Sequence, residues 1–231
     1  MLLLSIVLLR NMLNQEMKSF GGFLNPIQNT CKLSGIESKI IYSPLKTEYL
    51  ESFNSGDTFI IVAHGSPETI YHRFDHTLFQ RHQILVDTNN LTQLKGMKII
   101  AISCACARTL GPESVSSGDC KVFLGFENAI HFDKKDKTKA VCKYYDRYIR
   151  NIYKSVFENV LSKGIIENWT FEKISKVLEW ELKKEAARAA QAEKKKSETA
   201  YFSREIEETI IAIANVASSI RVFGKIDERI S

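Results

Sequence analysis

The chain has 231 residues, of which 44% are hydrophobic, 26% charged and 10% aromatic, with only 11 glycines and 4 prolines. This composition excludes a disordered chain, a collagen-like repeat and a disulfide-stapled miniprotein, and the length suits one α/β domain. The formal charge of +5 is too mild to point to nucleic acid, and the excess is concentrated at 134–150, which holds seven basic and two acidic residues.

The apolar opening, Met1 to Leu9, has no positive segment before it and no small-x-small cleavage site after it, so it does not read as a signal peptide. It is far shorter than the ~20 apolar residues of a membrane helix. A buried first strand is the expectation, with an uncleaved anchor as the alternative. No later segment is long enough to span a bilayer, and no membrane partner is expected.

Three continuous apolar runs follow: Thr58 to Ala63, Met97 to Ser103 and Lys121 to Phe126. Runs without alternation mark strands covered on both faces, as in a parallel sheet. Between the first two, 69–87 suggests a short hairpin. Asp87-Thr88-Asn89-Asn90 can cap a short helix through Leu94, which Gly96 stops.

After Lys139 the period changes. A helix is predicted over Val141 to Leu161, ended by Lys163-Gly164. A second starts at Thr170, with Lys173 where a capping box prefers Glu or Gln, and runs to about Lys196. A third covers Ser203 to Ser218, and Ile220 to Gly224 reads as a closing strand. The expected organisation is one domain over 1–231, with an α/β part to 140 and then helices plus that strand.

Cys31, Cys104, Cys106, Cys120 and Cys142 form an odd, irregularly spaced set, which fits reduced thiols in a cytoplasm better than a disulfide framework. Cys104-Ala105-Cys106 is half of a metal site without its second half. His72, His76 and His82 lack the glutamate of a zinc-peptidase helix. No metal and no other cofactor is expected.

In open parallel sheets, function gathers beyond the carboxyl ends of the strands. Two of those ends carry His64-Gly65 and Cys104-Ala105-Cys106, the residue types of a thiol nucleophile and its base. A thiol becomes a good nucleophile beside an imidazole, and Gly65 lets its backbone N–H approach a developing oxyanion. Taken separately, a cysteine in a core and a His-Gly turn are ordinary structural features. Their joint occurrence at two strand ends is what points to catalysis.

The segments from Ile60 through His64-Gly65-Ser66, from Ile99 through Cys104 to Leu110-Gly111, and from Cys120 to Phe126 together resemble the caspase-like cysteine peptidases, a superfamily that includes the bacterial CHAT proteins. The resemblance covers about residues 35–225. It implies a three-layer α/β sandwich: a mostly parallel central sheet, helices on both faces and a helical C-terminal third. It also implies a cytoplasmic thiol protease hydrolysing peptide bonds through a His64–Cys104 dyad, with a protein or peptide substrate.

Cys106 is the alternative nucleophile, because some relatives place Ala directly before theirs. Neither choice has the acid two residues earlier that metacaspases use. Asp119, Glu127 and Asp133 are candidates for a pocket that takes Lys or Arg. The basic run at 134–150 reads as a solvated face, a docking patch for an acidic partner or a loop cut on activation. The same resemblance implies a regulated bacterial effector, for instance in defence or cell death, with a regulatory protein partner. The competing reading is a catalytically inactive interaction module of the same fold.

Overall fold

Five parallel strands and one antiparallel strand form the central sheet of the computed structural model, which describes residues 5–45, 50, 53–74, 83–130, 140–194 and 200–231. In chain order the elements are β1 (Ser5–Arg10), α1 (Gln15–Phe20), a 3-10 turn (Gly21–Phe23), α2 (Leu24–Leu33), β2 (Glu37–Tyr42), β3 (Thr58–Val62), β4 (His64–Gly65), β5 (Thr69–Arg73) and β6 (Gln83–Asp87). A 3-10 turn (Leu91–Leu94), β7 (Lys98–Ile102), α3 (Leu110–Ser116), β8 (Val122–Phe126), α4 (Ala140–Ile166), α5 (Phe171–Lys194), α6 (Ala200–Ser218) and β9 (Ile220–Gly224) follow.

The large sheet has the order β2-β1-β3-β7-β8-β9, and β9 alone runs antiparallel, against β8. β4, β5 and β6 make a small antiparallel sheet inserted between β3 and β7. The opening apolar run is a buried strand over its described part, since β1 pairs with β3 on one side and β2 on the other.

β3, β7 and β8 are buried along their whole length, as continuous apolar runs require. Their side chains alternate between two cores, the period of two that a pleat imposes. Ile60, Val62, Ile100, Ile102, Val122 and Leu124 face a core shared with residues of α1, α2, α4, α5 and α6, among them Phe20, Ile27, Phe157, Ile174 and Ile213. Phe59, Ile61, Ile99, Ala101 and Phe123 face the other, with Ile70, Leu85 and Val86 of the small sheet, Leu91 and Leu94 of the 3-10 turn, and Leu110 of α3. Each fully buried side chain of this size stabilises the fold by about 1.5–3 kcal/mol.

The two faces are therefore unequal: five helices cover one, while α3 and the small sheet cover the other. Two local expectations change. Gly164 does not end α4, which continues to Ile166. The helix is terminated by Asn168 in the left-handed region (φ 49°), with the Trp169 N–H donating to the Gly164 carbonyl at 2.8 Å, an arrangement common at helix ends. The predicted short helix after Asp87 is the 3-10 turn, preceded by Asn90, whose Oδ1 accepts the Asp87 N–H at 2.7 Å.

Candidate active site

Four neighbouring strands, β1, β3, β7 and β8, each deliver one element of the site at their carboxyl ends. β3 runs through Ala63 into His64 and Gly65, and the Ala63 N–H still reaches the Ile102 carbonyl of β7 at 3.4 Å. β7 runs through Ser103 into Cys104. Ala105 then takes a left-handed conformation (φ 56°), which a residue with a Cβ rarely adopts. Its N–H donates to the Asn128 carbonyl at 3.2 Å, and this fixes the sharp bend that turns Cys104 away from Cys106.

The two cysteines consequently lie on opposite faces. Cys106 is fully buried in the second core, and its Sγ donates to the Ser103 carbonyl at 3.3 Å. Burial pushes its thiol up to about 12, so it is protonated at any physiological pH. Cys104 is half-buried and packs against the first core. Its Sγ accepts the backbone N–H of Ile130, beyond β8, at 3.3 Å. Burial raises the Cys104 thiol above its ordinary value. The Ile130 N–H opposes that shift and the Glu16 carboxylate adds to it.

His64 is held from two sides. Its Nε2 stands 2.6 Å from a carboxylate oxygen of Glu16, and its ring lies 5.2 Å from that of Phe74, tilted by 38°. Glu16 sits in the first turn of α1, just past the end of β1. None of the sequence motifs marks it. The available signal was Asn14 followed by an acid in a helical first turn, directly after an apolar strand.

Gly65 is packed against the other half of the site. A Cβ on it would collide with the Ser103 hydroxyl and stand 2.8 Å from the Cys104 carbonyl oxygen, so only glycine lets β4 approach β7 this closely. The Ser66 N–H donates to the Thr69 carbonyl at 2.8 Å, and bonded and non-bonded pairs alternate along an antiparallel ladder. The Gly65–Ile70 pair is then the non-bonded one, and the Gly65 N–H points away from β5.

The remaining candidates separate. Asp119 lies at the opposite edge of the sheet, before β8, where it pairs with Lys95 at 3.3 Å. It does not line this site, because the loop entering a parallel strand emerges at the edge opposite the loop leaving it. Glu127 follows β8 directly but pairs with Arg221 at 2.6 Å. Asp133, His76, His82 and 134–139 fall outside the described residues. His72 is buried. Among the described residues no three His, Cys, Asp or Glu side chains converge on a point that would hold a metal ion, and no helix is long and apolar enough to cross a membrane. Compared with known proteins, the chain matches no family model, no curated protein and no solved structure.

Proposed function

We propose that the chain is a cysteine endopeptidase of the caspase-like kind, with Cys104 as nucleophile and His64 as its base. The observation that carries this reading is the convergence of His64, Glu16, Gly65 and Cys104 at adjacent strand ends, with Glu16 2.6 Å from His64 Nε2. The mostly parallel sheet with helices packed on it supports the reading at the level of an α/β fold.

A carboxylate beside Nε2 holds a proton on that nitrogen and leaves Nδ1 to act as base. In the first half-reaction the Cys104 S–H proton passes to Nδ1 and the sulfur attacks the scissile carbonyl carbon. The oxyanion is met by the N–H of Gly65 and that of Cys104. The C–N bond then breaks, the imidazolium gives its proton to the leaving amine, and a thioester remains. Water, deprotonated by His64, hydrolyses the thioester and restores the thiol. Because burial raises its pKa, Cys104 rests as a thiol, and the proton leaves in the step that forms the carbon–sulfur bond. Regulation by a protein partner, as in bacterial defence or cell death, rests on the resemblance alone.

A second reading, an inactive interaction module, is favoured by one observation: the Ile130 N–H occupies the Cys104 sulfur. Labelling with a thiol-reactive peptidyl probe, with the adduct located by mass spectrometry, separates the two. A catalytic site gives an adduct on Cys104 that is lost in Cys104→Ala and falls about 100-fold or more in His64→Ala, the usual worth of a general base. Slow labelling that ignores His64 speaks for the module.

A further inference from the structure

We infer that Asn11 and Asn14 form an amide clamp that positions Glu16 against His64. The inference rests on the reading of that site as catalytic and goes beyond it by naming what holds the acid in place.

Asn14 stands at the N-cap of α1, where asparagine ordinarily bonds the first turn of its own helix. It makes no such bond. Its side chain reaches instead to the end of β5: Nδ2 donates to the Phe74 carbonyl at 2.7 Å and Oδ1 accepts the Phe74 N–H at 3.0 Å. Asn11 is fully buried. Its Nδ2 donates to the carbonyls of Tyr71 at 3.3 Å and His72 at 2.7 Å, and its Oδ1 accepts the N–H groups of Leu13 at 3.0 Å and Asn14 at 3.2 Å.

These bonds join the two segments that meet on His64: the turn that delivers Glu16 and the strand end that delivers Phe74. α1 has six residues, too few to hold a side chain by its own helical stability. Met17 and Phe20 seat the buried side of α1 in the first core, and what precedes the helix sets where its first turn, with Glu16, begins: Asn14 trades its local cap for a tertiary one.

Two readouts on the full chain test this. Long-range proton–nitrogen correlation spectra report which ring nitrogen of His64 carries the proton, and iodoacetamide alkylation followed by mass spectrometry gives the rate at Cys104. Asn14→Ala, half-buried and tolerable to the fold, is expected to move the His64 ring signals toward those of Glu16→Gln. It should also slow Cys104 alkylation about tenfold, in line with the loss of one or two hydrogen bonds. In the Glu16→Gln background the same change should add nothing, since both act through one contact. Asn14→Asp keeps the acceptor for Phe74 and loses the donor, so it should fall between.

A variant that melts earlier yet keeps the wild-type His64 signals and alkylation rate would overturn the clamp. Full additivity with Glu16→Gln would do the same. His64 signals that respond to Asn14→Ala while Cys104 reacts independently of His64 would support the clamp and sink the dyad, so the two failures are distinguishable.

Discussion

Gly65 and Cys104 are in contact through backbone: a Cβ on Gly65 would stand 2.8 Å from the Cys104 carbonyl oxygen and would collide with the Ser103 side chain. Gly65→Ala therefore has to push β4 off β7 and carry His64 away with it. The expected result is loss of His64-dependent labelling at Cys104 with the fold retained. Ser103→Ala alone should be tolerated, because its buried hydroxyl has no hydrogen-bond partner among the described residues. Combined with Gly65→Ala it should not restore labelling, because the Cys104 carbonyl remains in place. Restoration in the double variant would mean that the hydroxyl, and not the backbone approach, sets the geometry.

Cys104 and Cys106 differ in what surrounds them, and the difference predicts separable phenotypes. Cys106→Ala should keep labelling at Cys104 while lowering stability by about 1 kcal/mol, the typical scale for a small truncation in a packed core. Cys104→Ala should leave stability nearly unchanged and abolish the adduct. Peptide mapping after labelling, with urea unfolding of each variant, checks both. An adduct appearing on Cys106 in the Cys104→Ala chain would contradict the burial of its sulfur.

The strands that carry His64 and Cys104 are legible because a residue covered on both faces must be apolar on both, which leaves an unbroken run of β-branched residues. Glu16 is not legible in that way. It reaches His64 only because β1 pairs beside β3 in the register Leu9–Ile61 and Arg10–Val62, and no local pattern encodes which strands become neighbours. The choice between Cys104 and Cys106 is equally hidden, since it turns on a left-handed Ala105, a conformation that alanine gives no reason to expect. β2 leaves no such mark because it is an edge strand with alternating exposure, so it lacks the apolar run that marks the others.

Buried thiols make the fold sensitive to alkali. Burial raises Cys31 and Cys104 and pushes Cys106 and Cys120 up to about 12, whereas an unfolded thiol ionises near pH ~8.5. Above that value the unfolded chain holds fewer protons at these sites than the folded one, so stability falls as pH rises. Below it the contribution is fully present. The melting temperature should be level on this account up to about pH 8 and decline from about pH 8.5 toward about 12. Cys106→Ala/Cys120→Ala should show a shallower alkaline decline than wild type. An identical slope would place the loss on other groups.

At the edge of the sheet opposite the site, the C-terminal residues are locked under the strands. Ile230 is fully buried, its carbonyl accepts the Thr58 hydroxyl at 2.6 Å and its N–H donates to the Trp169 carbonyl at 3.0 Å. The buried Lys98 ammonium donates to the Arg229 carbonyl at 2.6 Å. Ile230→Ala should cost about 2–4 kcal/mol, the loss of a packed side chain plus the cavity it leaves. Lys98→Met gives up one hydrogen bond but also the cost of keeping a cation from water, and should stay within about 1 kcal/mol of wild type. Neither change touches the carboxyl ends of β1, β3 or β7, so Cys104 should label at the wild-type rate well below the melting point of each variant. Urea titration and peptidyl-probe kinetics on the same samples test both halves. Slower labelling in a folded Ile230→Ala chain would show that the amino edge of the sheet acts on the site at the carboxyl edge.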